Sequence, residues 1–286
     1  MALLTVVFVT GLIVATGLVT TCAFCTTHEQ FRHAITDVDR RLVEIAPYLG
    51  VAGVFFLAKQ ATNGLSLRIS RALGWDITDS LYELEGLFVA DLQATVPDAS
   101  IAFFSAMYMF GFPYLLVVPL VLYFVHASSR HLKGILTAYV LNYTVGAILY
   151  TLFIAYGPRN RVPQHVDGLM YEIYPETQTL TAAVSSNTDV FPSLHTSLAV
   201  VVALFAWQTR KTYPLWSYVS SITAAAVVLS TMVLGIHWLT DVVAGLVLGT
   251  WSVVVATRIV ETFEGEADAP SPLEDGEESV ASEIGD

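Results

Sequence analysis

The chain has 286 residues, 55% of them hydrophobic and only 13% charged, against about 25% charged in an average soluble chain. Long apolar runs follow one another, which excludes a water-soluble globule and points to an all-α, polytopic membrane helix bundle. The net charge of −12 is concentrated at one end: ten acidic residues and no Lys or Arg lie between Glu261 and Asp286, so the rest carries about −2. A nearly neutral membrane body with an acidic end gives no reason to expect a nucleic-acid partner.

Read against the ~20 residues that a spanning helix needs, the first run is Ala2 to Thr21. No Arg or Lys precedes it, so it reads as a retained helix and not a cleaved signal. Cys22 and Cys25 end it, with His28 and His33 beyond. Without a second C-x-x-C or an H-x-x-x-H, they read as two small apolar residues at a helix end, and no metal is expected. Leu42 to Leu57 follows, with Lys59 able to snorkel and let the helix run on toward Leu65. Next come Ile101 to His126, Ile135 to Tyr156, Pro192 to Trp207, Trp216 to Leu234 and Trp238 to Ile259, seven spans in all. Trp207, Trp216, Trp238 and Trp251 fall near span ends, where an aromatic belt would put them. The chain divides into an N-terminal helix and loop at 1–41, a six-helix core at 42–260 and an acidic, disordered tail at 261–286.

Alternating sides puts eight Lys and Arg on one face and five on the other. The positive-inside rule then sets the N-terminus outside and the acidic tail in the cytoplasm, most simply of the cell membrane. On the outer side, apolar residues at 81, 84, 87, 88 and 92 make one stripe, read as an amphipathic helix lying in the interface. Glu83, Glu85 and Asp91 read first as its solvated face, and otherwise as carboxylates that reach a site from above.

Two outer motifs carry chemistry. Phe191-Pro192-Ser193-Leu194-His195 and His237-Trp238-Leu239-Thr240-Asp241 each put a histidine at the mouth of an apolar helix, where an ionisable side chain is costly and hence a functional candidate. His237 and Asp241 are spaced i, i+4 and share a helix face, so the carboxylate can fix the imidazole tautomer and leave the other nitrogen free to attack. Pro192 suits the first helical position, and the free N–H groups of that turn form an anion site. With two histidines, one can be a nucleophile while the other protonates the leaving group and later deprotonates the acceptor. Upstream, Gly157-Pro158-Arg159-Asn160-Arg161 sets two guanidiniums at the same surface, suited to phosphate or to lipid headgroups.

These three pieces, in this order, resemble the motifs of the type-2 phosphatidic acid phosphatase superfamily, and Phe-Pro-Ser-Leu-His with Gly-Pro-Arg upstream looks most like its inositol phosphorylceramide synthase-like (inositolphosphotransferase) branch. The resemblance covers roughly residues 42 to 260. It implies that His237 is a nucleophile forming a phosphohistidine and that Asp241 orients it. It makes His195 the general acid and then base, with Arg159, or else Arg161, holding phosphoryl oxygens with help from Ser193. No metal or cofactor is implied. Ser230 and Thr231 stand where the phosphatases of the superfamily carry Ser-Arg, and no Lys precedes Arg159 at the family's distance. Both departures pull toward a phosphotransferase and leave room for Arg161 to supply the missing charge. The expected activity is a phosphoesterase or phosphotransferase on a lipid phosphate, among membrane lipids, with water or an alcohol as acceptor. The competing reading is a non-catalytic transporter or binding protein for anionic lipids on the same fold.

Overall fold

Hydrocarbon offers no partners to backbone N–H and C=O groups, so apolar runs of this length close their hydrogen bonds internally as helices. The computed structural model describes residues 2–173 and 187–267. In chain order its helices are α1 (Ala2–Cys25), α2 (His28–Thr36), α3 (Val38–Leu73), α4 (Thr78–Glu85), α5 (Phe88–Thr95), α6 (Asp98–Val125), α7 (Arg130–Leu152), α8 (Pro158–Arg161), α9 (Leu169–Ile173), α10 (Leu194–Gln208), α11 (Pro214–Val233) and α12 (Leu239–Ala267). One turn of α6, Met107–Gly111, is π-helical. There is no strand among the described residues; isolated bridges pair Asp76 with Ile154 and Ala155 with Asp189.

Five helices, α1, α6, α7, α11 and α12, are long and apolar enough to cross a membrane, as an all-α membrane protein requires. The other two expected spans take different forms. The run at Leu42 belongs to α3, which continues for 36 residues to Leu73. Helix α10 has only 15 residues, short of the ~20 that lipid demands, because protein surrounds it. It packs against α6, α7, α11 and α12, and Thr196, Ser197, Leu198, Val201, Val202 and Phe205 on it are buried.

The contact of α10 with α12 is at backbone distance. A Cβ on Gly245 would stand 2.6 Å from the Ser193 carbonyl oxygen, and one on Gly249 would stand 2.4 Å from that of Ser197. Such a small-x-x-x-small spacing lets two helices approach in a membrane. A buried polar chain crosses the same region: Ser197 Oγ donates to Asn142 Oδ1 (2.8 Å), and Asn142 Nδ2 donates to Ser252 Oγ (3.3 Å). It joins α7, α10 and α12 and leaves these side chains partnered within the bilayer.

The first helix docks through a similar device. Gly17 leaves room for the Tyr114 ring, whose hydroxyl lies 2.7 Å from Thr21 Oγ1. The start of α3 is tied to the end of α6 by Arg41, buried, with Nη1 donating to the carbonyls of Phe124 (2.8 Å) and His126 (2.6 Å). A cation suits the carbonyl end of a helix.

Two expectations are corrected at the level of side chains. Of the four tryptophans expected in a belt, Trp216 and Trp238 are buried, while Trp207 and Trp251 are exposed as a belt requires. Glu261 and Glu264 do not begin a tail: α12 carries them on to Ala267, Glu261 is bonded to Arg130, and Glu264 lies 3.2 Å from Lys133 Nζ. The disordered tail expected beyond them falls at residues outside those described.

Because a Cβ at position 249 meets backbone, which cannot swing aside, Gly249→Ala is expected to cost about 1–3 kcal/mol. Gly53 faces open space, so Gly53→Ala is expected to be neutral or mildly stabilising. Unfolding of the two variants in detergent, compared with the parent protein, checks this.

Candidate active site

The two histidine motifs meet at one end of the α10–α12 pair. Ser193 N–H donates to the Asp241 carbonyl at 3.0 Å, so the backbones of the two motifs are directly bonded. Ser193 is the N-cap of α10: its side-chain oxygen accepts from Thr196 N–H at 3.3 Å, and the residue is fully buried. This corrects the placing of Pro192 at the first helical position. The Phe191–Pro192 peptide is cis, the helix starts at Leu194, and the Pro192 carbonyl accepts the Tyr150 hydroxyl at 2.9 Å. His195 therefore projects from the first turn. Its ring stacks on Tyr108, with centroids 4.4 Å apart and planes at 25°, and lies 4.3 Å from Phe112. The His237 ring is 6.5 Å away, centroid to centroid.

His237 lies in the turn between α11 and α12, outside the spanning helices. Its turn is closed by the Thr231 carbonyl, which accepts from both Ile236 and His237 N–H, and by Gly235 at φ +66°, a conformation that favours glycine. Asp241 Oδ2 accepts Trp238 N–H at 2.8 Å, as an acid at the third helical position does for its N-cap. The same oxygen stands 3.4 Å from His237 Nδ1. Among the described residues, neither that Nδ1 nor Asp241 Oδ1 has a hydrogen-bond partner, although both are buried. Burial, and after it the Arg159 guanidinium, push the His237 imidazole down to about 3, against a Val190 carbonyl that works the other way. The ring is then neutral at pH 7, with a lone pair available.

The arginine loop completes the mouth. A Cβ on Gly157 would lie 2.2 Å from the Ile236 carbonyl oxygen, so only glycine lets this loop sit on the His237 turn. Arg159 N–H donates to the Gly235 carbonyl at 3.1 Å. Its side chain lies over Tyr171, 4.7 Å from the ring centroid, and Nη2 donates to the Tyr171 hydroxyl at 2.9 Å. Nη1 is buried, and among the described residues it has no hydrogen-bond partner. A buried guanidinium nitrogen with an unmet donor is a place for an anionic oxygen.

Arg161 is differently engaged. Its Nε lies 2.8 Å from Asp79 Oδ1, and its guanidinium sits over Tyr82 at 5.0 Å. In the structure Arg161 is thus engaged by Asp79, in an exposed pair. Ser230 and Thr231 turn their hydroxyls back to the carbonyls of Val227 and Val228. Arg159 is thus the cation that the structure brings to the histidines.

The stripe at 81–92 is also corrected. Gly86, at φ +59°, breaks it into α4 and α5. Glu85, the last residue of α4, is not on a solvated face. Its Oε2 accepts Leu239 N–H at 2.8 Å, and its Oε1 accepts Thr240 N–H. Glu85 thus follows the second of its two readings from sequence, while Tyr108, Phe112, Tyr150 and Tyr171 are site residues that spacing alone did not reveal. A Gly directly after Glu85, as a helix stop, is the one signal that pointed to the break. No group of three or more His, Cys, Asp or Glu placed to hold a metal ion occurs among the described residues.

Residues 85–255 match the family model of the PAP2 superfamily. A stretch of 180 residues, 61% of this chain and 69% of the relative, is 26% identical to the uncharacterized protein MJ0662 of Methanocaldococcus jannaschii. No solved structure gives a significant match.

With His237 held near 3, NMR of labelled histidines in detergent is expected to show no titration of this ring between pH 8 and pH 5. Arg159→Gln is expected to raise its pKa, because losing a positive neighbour favours the imidazolium. A wild-type midpoint near 6.5 would contradict the buried environment.

Proposed function

The chain belongs to the PAP2 superfamily, which supports a phosphatase-type membrane enzyme, and from that premise we propose a lipid phosphoesterase or phosphotransferase that works through a phosphohistidine on His237. One observation carries the reading. Two imidazoles face each other at 6.5 Å, and the same mouth holds a guanidinium with an unmet, buried donor. That gap suits a tetrahedral phosphoryl group with a nitrogen on either side.

The steps follow from what each residue can hold. The neutral His237 attacks phosphorus through Nε2, while its Nδ1–H turns to Asp241, which is 3.4 Å away and able to close up as charge develops. A P–N bond forms, and the P–O bond to the lipid alcohol breaks. His195, once protonated, gives its proton to that leaving oxygen, its ring held against those of Tyr108 and Phe112. His195 then takes a proton from water or an alcohol, whose oxygen attacks phosphorus and breaks the P–N bond. Arg159 Nη1 holds the phosphoryl oxygens through both displacements. The Ser193 hydroxyl, its oxygen committed to the cap, keeps a proton to donate. The first-turn N–H groups of α12 are occupied by Asp241 and Glu85, so the anion is best held on the α10 side. Arg161 has a secondary part at most while Asp79 holds it.

The substrate is proposed to be a lipid phosphate taken from the surrounding bilayer, with water or an alcohol such as a sugar, inositol or second lipid as acceptor. The Phe-Pro-Ser-Leu-His form and the uncharged Thr231 favour the inositolphosphotransferase-like branch. The Lys and Arg distribution favours a site on the outer face of the cell membrane and a cytoplasmic C-terminus. No metal or cofactor enters any of these steps.

Purified protein is expected to release or transfer phosphate from at least one of phosphatidic acid, a polyprenyl phosphate or phosphatidylinositol. His237→Ala is expected to abolish this, and His195→Ala to slow it about 10²–10⁴-fold while leaving lipid binding intact. A need for an added alcohol would make the enzyme a transferase; turnover in water alone would make it a phosphatase. Equal rates for wild type and His237→Ala would reject the mechanism and favour an anionic-lipid carrier. A chain ending at Ala267 is expected to keep full activity, since it retains the Glu261 and Glu264 contacts.

A further inference from the structure

The first N–H groups of α12 are met by a carboxylate from 154 residues away. Glu85 takes Leu239 N–H with Oε2 at 2.8 Å and Thr240 N–H with Oε1. These two donors stand between His237 and Asp241 in sequence. With Asp241 Oδ2 on Trp238 N–H, three consecutive N–H groups of this turn are held by two carboxylates. A helix N-terminus carries partial positive charge and unmet donors, and is a natural seat for an anion. Here the protein supplies that anion itself.

The carboxylate is firmly positioned. Gly86 stops α4 at Glu85 with φ +59°. Thr78 N–H donates to Asp76 Oδ1 at 2.9 Å, and Tyr156 N–H donates to Thr78 Oγ1 at 3.0 Å. The Arg161–Asp79 pair and the 6.2 Å contact of the Tyr82 and Trp238 rings hold the middle of α4. Trp238 Nε1 in turn donates to the Tyr156 carbonyl at 2.9 Å. Thus α4 rests on the same loop that carries Arg159, and its last side chain ends on the turn that carries His237.

We propose that Glu85 is a positioning residue, a built-in anion on the α12 mouth that sets the His237–Asp241 geometry relative to Arg159 and keeps the substrate phosphate off that mouth. This rests on the reading of His237 as nucleophile. Glu85 touches no reacting atom. It acts by fixing the turn in which Asp241 must hold Nδ1 of His237, and by filling donors that would otherwise draw a phosphate away from the attacking nitrogen.

The test uses the full chain in detergent, with Glu85→Ala, Glu85→Gln and Glu83→Ala, the last altering an exposed neighbour on α4. Turnover of a lipid phosphate is measured with and without added acetate. Glu85→Ala is expected to lose kcat on the order of 10²-fold, the effect of a misplacement near 1 Å remote from the chemistry, with a smaller change in KM. Acetate is expected to restore part of that loss in Glu85→Ala and to leave wild type and Glu83→Ala unchanged, since a free carboxylate can take the vacated donors. Amide exchange of the peptide around 237–241 is expected to quicken in Glu85→Ala and to slow again with acetate. Glu85→Gln keeps the volume and one acceptor oxygen; it is expected to fall between, and it carries the test where the alanine variant does not fold. Wild-type kcat in the Glu85 variants, or a loss in Glu85→Ala that acetate does not reverse, overturns the proposal. If the wild-type protein turns over no lipid phosphate, the proposed function fails, and the exchange of 237–241 with and without acetate alone decides the role of Glu85.

Discussion

Everything at the site depends on how closely α10 lies on α12. Gly245 and Gly249 remove the side chains that would hold the two helices apart, so that the carbonyls of Ser193 and Ser197 rest where a Cβ would be. Both helices start at the same end, and the bond from Ser193 N–H to the Asp241 carbonyl locks their mouths in register. Lipid supplies no hydrophobic force to push helices together, so small residues and satisfied polar groups have to do it. The Asn142–Ser197–Ser252 chain does the second part of that work deeper in the bundle. His195 and His237, 42 residues apart in sequence, face one another as a consequence.

A mouth built this way concentrates unmet donors and ionisable groups where water is scarce, and most of them are answered from within the chain. Asp241 and Glu85 take the α12 donors, Ser193 takes one of the α10 donors, and Asp79 holds Arg161. At the mouth, Arg159 Nη1, His237 Nδ1, Asp241 Oδ1 and Thr196 Oγ1 are buried and left unanswered among the described residues, and the first three belong to residues of the proposed reaction. Leaving such groups unmet costs free energy, and Arg159 Nη1 and His237 Nδ1 are atoms that a phosphoryl group and the charge it brings would engage. Burial and Arg159 together keep His237 neutral, the form from which a nucleophile starts.

How much could be read from the residues alone follows from the same physics. In lipid the backbone has one solution per apolar run, so the helices were legible from hydropathy, and counting crossings placed both histidines and Arg159 on one face. Helix α10 reads as an ordinary span in sequence and is short because protein replaces lipid around it, which no local pattern records. Glu85 could not be told from Glu83 and Asp91 along a helical stripe that runs unbroken through Gly86; the positive-φ turn there ends α4 at the one of these acids that meets α12. The Arg161–Asp79 pair joins positions 82 apart, and Tyr108 and Phe112 are indistinguishable in sequence from the other aromatics of α6. Side-chain partners across such distances are set by tertiary packing, and local spacing carries no trace of them.

The most direct measurement is to quench the protein during turnover of a phosphoryl-labelled lipid phosphate and to map the label by peptide. His195→Ala, which loses both the acid for formation and the base for release of the intermediate, is quenched in parallel as a second background. The expected result is an acid-labile, base-stable phosphoryl group on His237 that disappears in His237→Ala. Label on another residue, or turnover with no protein-bound phosphoryl in either background, would contradict a phosphohistidine at the mouth of α12.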